Sequence, residues 1–212
     1  MTNASGTEVA NENVLIRAGN CSVTIFPHLG GKIASIRVKD RELLQAPIAA
    51  YGPRTRTMPF DAGDASGWDE CLPSVACCTV ETAAGEVTIP DHGDLWRIQW
   101  AEVKNQESEL AGANSATFCG ECFSLPLSLE RSVALAETES GWRLSLDYTL
   151  TNTGDCSVPW SWSAHPLFTA EDEDRIILPS SIHELRLEGS GGGRLQNSGD
   201  PIAWPIARLA RG

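Results

Sequence analysis

The sequence predicts an all-β protein built as an antiparallel sandwich, and three observations support this fold class. Short segments alternate apolar and polar residues with a period of two, as half-buried strands do. Turn residues separate these segments, and no stretch shows a sustained helical period. The chain has 212 residues and a hydrophobic fraction of 42%, which is enough to bury one sizeable core.

The predicted strands are spread along the whole chain. Gly19 and Asn20 predict an early hairpin turn, and Pro27 and the glycines that follow it interrupt the next pair of strands. Residues 182–187 fit a helical turn or a strand equally well. The segments that alternate are 14–16, 22–26, 32–38, 97–103 and 142–150.

Two segments break the strand pattern. Residues 45–74 are rich in Pro, Gly and Asp, and a connection of that length in a compact domain is usually a functional loop. Residues 189–200 are rich in glycine and predict a flexible loop. They lack the Gly-Lys-Ser/Thr ending of a phosphate-binding loop, which argues against a nucleotide site. We expect a flexible tail at 1–12 and a single β-sandwich domain at 13–212.

The charge balance narrows the range of partners. The chain carries 16 basic and 28 acidic residues, a net charge of -12. Such a surface repels phosphate backbones and anionic membranes, so we expect no nucleic acid and no membrane partner. A neutral sugar remains compatible with it. The N-terminus lacks the basic start and apolar centre of a secretion signal, so the expected location is the cytoplasm.

The seven cysteines predict thiols rather than a disulfide scaffold, because their number is odd and the chain is long. Cys119 and Cys122 have the spacing of a redox or zinc motif. They lie between strand-like segments, and no second pair of ligands has suitable spacing. We therefore expect no metal site.

Two of the four histidines stand at predicted strand ends. His92 lies on a turn between Asp91 and Gly93, and His165 precedes Pro166 in a segment rich in tryptophan. A hydrogen-bonded structural role is the common one for a lone histidine. Two such residues beside aromatic and acidic neighbours indicate a pocket in which imidazoles act on a ligand.

Four ordered motifs resemble the aldose 1-epimerase (galactose mutarotase)-like superfamily. The motifs are Gly30–Ile36, Gly67–Ser74, Pro90–Gly93, and Leu150–Thr153 followed by Ala164–Phe168. Their order and approximate spacing agree from about residue 14 to residue 205. The resemblance implies an antiparallel β-supersandwich and a cofactor-free isomerase that interconverts the anomers of a hexose or related sugar.

The resemblance also implies roles for individual residues. His165 matches the general acid that protonates the ring oxygen, and His92 matches the residue that binds and polarises the same region of the sugar. An imidazole suits the acid role because its pKa lies near working pH. The expected sugar contacts are Asp69, Glu70, Asp91, Arg54, Arg56 and Trp162. For Arg54 and Arg56, surface ion pairing is the slightly preferred interpretation.

The sequence departs from the family at the general base. The family uses a glutamate from the last third of a longer chain, and these 212 residues contain no matching position. The C-terminal part could be lacking, or Glu70, Asp69 or Asp91 could replace the glutamate. The domain could also bind sugar without turning it over. A sandwich that lacked its last strands would leave a sheet edge open, which favours a homodimer.

Three functional readings therefore remain. The first is an aldose 1-epimerase-like isomerase, and the second is a non-catalytic carbohydrate-binding or sensing module on the same scaffold. The third is an interaction domain whose histidines are structural. The histidine pair favours the first reading, and the absent glutamate favours the second.

Overall fold

The computed structural model describes residues 13–104, 114–187, 199 and 201–204. The predicted tail at 1–12 and nearly all of the predicted loop at 189–200 lie outside these residues. The chain forms two compact units, Met1–Thr169 and Ala170–Gly212. The single domain expected over 13–212 stays a prediction.

Strands are the main regular elements of the described residues of the first unit. These residues also include three short 3-10 helices, at Pro27–Leu29, Asp61–Gly63 and Leu95–Arg97. The strands are β1 (Val14–Ala18), β2 (Cys21–Phe26), β3 (Lys32–Val38), β4 (Arg41–Glu42), β5 (Trp68–Cys71), β6 (Cys78–Thr82), β7 (Gly85–Ile89), β8 (Ala101–Glu102), β9 (Ser115–Glu121), β10 (Leu127–Thr138), β11 (Gly141–Asn152) and β12 (Ser163–Pro166).

The first unit is an antiparallel β-sandwich, as the alternating pattern predicts. One sheet has the strand order β1-β2-β3-β5-β12, with β4 paired to β3. The second sheet has the order β11-β10-β9-β8, and β6 and β7 form a separate hairpin. Every strand pair in these sheets is antiparallel. No helix among the described residues is long and apolar enough to span a membrane.

The core lies between the two sheets, because alternate residues of each sheet point towards the other. Val23 and Ile25 of β2 are fully buried, and Leu129 and Val133 of β10 belong to the same cluster. Trp100 closes the cluster from the loop before β8. Each such side chain contributes about 1.5–3 kcal/mol on burial, so this cluster is the main source of stability of the unit.

Two expectations from the sequence are wrong in detail. Residues 97–103 were expected to form one strand, but Arg97 ends a 3-10 helix and only Ala101–Glu102 is extended. The apolar residues of the pattern, Ile98 and Trp100, pack against the core from a loop rather than from a sheet. The irregular segment expected at 45–74 ends earlier, because β5 occupies Trp68–Cys71.

The second unit is a small hairpin in its described part. β13 (Glu184–Arg186) pairs antiparallel with β14 (Pro201–Ala203). The strand alternative for residues 182–187 is therefore the one observed. Trp204 extends the hairpin by donating its backbone N–H to the carbonyl of His183, with N and O 2.9 Å apart.

Candidate functional site

His92 is presented on a tight turn just beyond β7. Its φ is 59°, a value that histidine adopts more readily than most residues, and Gly93 follows with a φ of 68°. The His92 backbone N–H donates to the carbonyl of Val75 at 2.7 Å, and the Gly93 N–H donates to that of Pro90 at 2.9 Å. These bonds fix the direction in which the imidazole leaves the backbone.

His165 reaches the site from β12, at the edge of the larger sheet. It lies opposite Asp69 in the pairing of β12 with β5. Its Nδ1 is buried and bonds to no other described residue. Burial lowers the pKa of His165, and the neighbouring His92 lowers it further. The ring is therefore predominantly neutral at neutral pH.

The two imidazoles meet against an aromatic wall. Their ring centroids are 5.4 Å apart and their planes are nearly perpendicular, at 82°. Phe60 stacks on His92 with centroids 3.7 Å apart, and it meets His165 edge-on at 5.2 Å. Trp96 contacts the other side of Phe60 at 5.0 Å. Apolar rings therefore cover part of both imidazoles.

Asp91 and His92 form a carboxylate–imidazole pair. Oδ2 of Asp91 lies 2.8 Å from Nδ1 of His92, and the two side chains are 54% and 22% exposed respectively. If Nδ1 carries the proton that this contact favours, Nε2 of His92 is left as an acceptor. Asp91 thus sets the orientation of the ring and is itself open to solvent.

Asp69 is fully buried and forms ion pairs with two cationic side chains. Its Oδ2 lies 2.7 Å from Nζ of Lys32, and its Oδ1 lies 2.9 Å from Nη1 of Arg54. Lys32 also donates to the carbonyl of Ser66. Burial lowers the pKa of Lys32, and Asp69 opposes that shift. Both oxygens of Asp69 are therefore engaged within the protein.

Glu70 is likewise buried, but it faces the second sheet. Its Oε1 accepts from Arg131 Nη1 at 3.1 Å and from the Tyr148 hydroxyl at 2.8 Å. Trp162 donates its Nε1–H to Oε2 at 2.9 Å. Burial raises the pKa of Glu70, and these three donors counteract the shift. The network joins β5 to β10, β11 and the segment before β12.

Two arginines hold the loops around the histidines. Arg54, expected at the surface, is buried instead, with its side chain 2% exposed. Besides Asp69 it donates to the carbonyls of Leu29, Trp96 and Gly63, at distances of 2.7 to 3.3 Å. Both Arg54 and Arg97 lie over the Trp96 ring, at 5.1 and 4.3 Å from its centroid. Arg54 therefore holds together, from a buried position, the loops that carry these carbonyl groups.

Arg97 ties the Phe60 loop to the His92 turn. Its Nε donates to the carbonyl of Met58 at 3.1 Å. Its Nη1 donates to the carbonyl of Asp91 at 3.0 Å and to that of Gly93. Burial lowers the pKa of Arg97, which remains far above neutrality for a guanidinium.

The expected sugar contacts are divided among three places. Asp91 contacts His92, and Asp69 lies opposite His165 in the pairing of β5 with β12, whereas Glu70 and Trp162 bond to each other. Arg56 is exposed, with its guanidinium 5.0 Å from the centroid of the Phe123 ring. Arg56 lines a cleft of about 620 Å³ that does not include either histidine. The lining residues are Arg54, Thr55, Arg56, Arg97, Ile98, Gln99, Ala101, Cys119 and Glu121.

Metal-ligating clusters are not found within the part of the chain that the structure describes: it contains no group of three or more His, Cys, Asp or Glu side chains placed to hold an ion. All seven cysteines are free thiols. Cys119 contacts the Ser128 hydroxyl at 3.1 Å, across the pair formed by β9 and β10. Cys71 is buried behind the site, and its burial raises its thiol pKa to about 12.

The comparisons with known proteins identify the fold. The sequence matches no family model, and it matches no curated protein. The structure is similar to that of the Slr1438 protein from Synechocystis sp. PCC 6803, with a TM-score of 0.67 and 16% identity, over 97% of this chain and 68% of that one. It is also similar to a candidate aldose 1-epimerase from Escherichia coli K12, with a TM-score of 0.63 and 17% identity, over 94% of this chain and 67% of that one.

These likenesses show the fold alone, because the identities are low. The chain has the antiparallel β-sandwich of aldose 1-epimerase-like structures, as the four sequence motifs indicated.

Proposed function

We propose that this chain is an aldose 1-epimerase-like isomerase that interconverts the anomers of a hexose or a related sugar. The observation that carries the proposal is the pair of imidazoles, His92 and His165, whose ring centroids are 5.4 Å apart beside the ring of Phe60. Two titratable imidazoles beside an apolar side chain suit a reaction that transfers protons to and from an uncharged sugar. We further propose that the protein acts in the cytoplasm.

The reaction needs two proton transfers and no cofactor. A base removes the proton from the anomeric hydroxyl, and an acid delivers a proton to the ring oxygen. The bond between the anomeric carbon and the ring oxygen breaks, leaving an open-chain aldehyde. Rotation of that group and reclosure, with both transfers reversed, give the other anomer. The protonation states of the acid and the base are restored at the end.

We assign the acid role to His165. Burial and the proximity of His92 lower its pKa, so the protonated form is the minor form at neutral pH but the stronger acid. His92 binds and polarises the sugar oxygen between the two rings. Its orientation is supported by Asp91, through the 2.8 Å contact to Nδ1.

We assign the base role to Asp91 among the three carboxylates considered. Asp69 and Glu70 are fully buried, and both are paired to cations, Asp69 to Lys32 and Arg54 and Glu70 to Arg131. Asp91 is 54% exposed and contacts an imidazole of the site. A carboxylate that is open to solvent and contacts His92 is the best candidate to accept the hydroxyl proton. Arg54, Arg56 and Trp162 remain proposed sugar contacts.

Polarimetry of freshly dissolved α-D-glucose and α-D-galactose tests the proposal. We expect a mutarotation rate above the buffer rate, lost in His165→Ala and reduced by about 10²–10⁴-fold in Asp91→Asn, the usual range for one acid or base. Asp40→Asn is the matched control for Asp91→Asn, because Asp40 is an exposed aspartate in the turn between β3 and β4 and should leave the rate unchanged. A wild-type rate equal to buffer, in folded protein, would refute the isomerase.

The second candidate is a sugar-binding module without catalysis. It is favoured by the complete engagement of Asp69 and Glu70 in buried ion pairs, which leaves the site poor in available carboxylates. Isothermal titration separates the two candidates. Saturable sugar binding without accelerated mutarotation would support the module, and accelerated mutarotation would exclude it.

A further inference from the structure

β11 forms the outer edge of the four-stranded sheet. It spans twelve residues, Gly141–Asn152, and pairs along its whole length with β10. No other described strand pairs with it. Its outer side therefore presents a long row of backbone N–H and C=O groups, and such a row is a template for another strand.

The hairpin geometry shows which residues present those groups. β10 and β11 are joined by a two-residue turn, and Thr138 pairs with Gly141 at its end. The closing pair of such a hairpin is hydrogen-bonded, and alternation along the strand then directs the backbone groups of Arg143, Ser145 and Asp147 towards β10. The outward groups belong to the residues between them, which are Trp142, Leu144, Leu146, Tyr148 and Leu150.

The central part of β11 has a sequence that is complementary to itself when two copies run antiparallel. The residues from Trp142 to Tyr148 read Trp-Arg-Leu-Ser-Leu-Asp-Tyr. We propose that β11 pairs antiparallel with β11 of a second copy of this chain, about a two-fold axis at Ser145. In that register Arg143 lies opposite Asp147 of the second copy, and Asp147 lies opposite its Arg143. Leucine then opposes leucine, and tryptophan opposes tyrosine.

The hydrogen-bonding pattern agrees with this register. The outward groups of Trp142, Leu144, Leu146 and Tyr148 face their partners in the second copy, which allows roughly eight backbone hydrogen bonds across the axis. The two Arg143–Asp147 pairs fall in the positions without hydrogen bonds, where side chains approach most closely. Arg143 and Asp147 are both exposed, so each is available to the other copy.

Other registers lose this complementarity. An axis at Arg143 or at Asp147 sets like charges opposite each other, which is destabilising. An axis at Leu144 or Leu146 pairs neither charge with its opposite. A shift of the pairing by one residue would set the polar face of one strand beside the apolar face of the other. The register centred on Ser145 pairs both charges favourably in each copy.

The apolar face of β11 adds to the interaction. Its side chains lie against the core of the sandwich and are partly buried. A second copy that joined the same sheet would extend this row of apolar side chains, and its leucines would lie beside the leucines of the first copy. The residues concerned are Trp142, Leu144, Leu146, Tyr148 and Leu150.

Sedimentation velocity of the whole chain over a wide concentration range tests the proposal. We expect a monomer–dimer equilibrium. Arg143→Asp and Asp147→Arg should each raise the dissociation constant roughly tenfold or more, because each replaces two favourable pairs with two like-charge pairs. The double variant Arg143→Asp/Asp147→Arg restores opposite charges and should restore the dimer. Circular dichroism and melting curves establish that each variant is folded.

Cross-linking tests the position of the axis independently of charge. In Ser145→Cys the two introduced thiols would face each other at a separation close to that of a disulfide. Oxidised glutathione should join them, taking up two electrons and two protons as it becomes two molecules of glutathione. Thr149→Cys is the matched control. Thr149 lies on the same face of β11 as Ser145, but in the proposed register it is far from Thr149 of the second copy. The native thiols are common to both variants.

Three outcomes would overturn the proposal. The first is a folded wild-type chain that stays monomeric at every concentration, which would mean that a segment of the same chain covers the edge or that the edge stays unpaired. The second is a dimer that the two single charge reversals do not weaken. The third is cross-linking of Thr149→Cys as efficient as that of Ser145→Cys.

Discussion

Phe60 lies flat on the imidazole of His92, with ring centroids 3.7 Å apart and planes that differ by 2°. The same ring meets His165 edge-on, so one aromatic side chain contacts both histidines. Phe60 belongs to the long segment between β4 and β5, and its backbone is followed directly by the 3-10 helix Asp61–Gly63. The irregular segment therefore supplies a wall of the candidate site.

Removal of the Phe60 ring should destabilise the first unit. Phe60 is 8% exposed, and a buried Phe→Ala substitution typically costs about 3–5 kcal/mol. We expect Phe60→Ala to reach the lower part of that range in urea unfolding monitored by fluorescence. Phe60→Leu keeps most of the volume and should cost less. Equal losses in the two variants would contradict a packing role for the ring.

The proposed acid role of His165 predicts a pH profile. Only the protonated ring delivers a proton, and burial lowers the pKa of His165 below its usual value of about 6.5. We therefore expect kcat/KM for mutarotation to fall as pH rises through that lowered pKa. His92→Gln removes one cause of the lowering, so its falling limb should move to higher pH. A rate that rises with pH over the same interval would assign His165 as a base.

The lowered pKa of His165 also predicts how stability depends on pH, whatever the activity. As pH falls below about 6.5, the histidine of the unfolded chain binds a proton before the folded one does. The free energy of unfolding should therefore decrease as pH falls through this window, down to the folded-state pKa. His165→Gln should show a shallower decrease in urea titrations at several pH values. Parallel curves for the two proteins would contradict the shift.

The Glu70–Arg131 pair should be costly to break. Both side chains are fully buried, with Nη1 and Oε1 3.1 Å apart. Arg131→Met leaves the carboxylate of Glu70 buried without its cation, and such a loss typically costs about 3–5 kcal/mol. Arg37→Met is the matched control, since Arg37 is an exposed arginine of β3, and it should change stability by about 0.5 kcal/mol or less. Similar unfolding free energies for the two variants would rule out the proposed cost.

Gly93 should tolerate no side chain, because two constraints meet there. Its φ is 68°, and a Cβ at this position would collide with the backbone of Leu72. Gly85 also has a positive φ, of 111°, but it faces open space. Gly85→Ala should cost about 1–2 kcal/mol from the backbone alone, and Gly93→Ala should cost clearly more. Equal costs in thermal unfolding would show that the turn yields without strain.

The sequence was a good guide to the strands whose residues alternate across a single buried face. The predicted segments 22–26, 32–38 and 142–150 all lie in the observed strands, because period-two burial leaves a direct pattern. The segment 97–103 shows the same pattern for another reason. There Ile98 and Trp100 pack against the core from a loop, and periodicity cannot distinguish a loop core from a sheet face.

The site was only partly visible in the sequence. The histidines stood out through their turn and proline neighbours, whereas Phe60 did not, because nothing local indicates which loop aromatic reaches a distant pocket. Arg131 carried a signal that was missed. It occupies an inward position of β10, in register with Leu129 and Val133, and a charge on an apolar face indicates a buried partner.

The three carbonyls that Arg97 binds have a consequence for how a ligand could enter. Met58 belongs to the segment that carries Phe60, and Asp91 and Gly93 flank His92. If either segment moved alone, the buried guanidinium of Arg97 would lose some of its hydrogen bonds, which is costly. The Phe60 ring and the imidazole it covers should therefore shift together when a ligand enters, so that the spacing between those two rings stays constant.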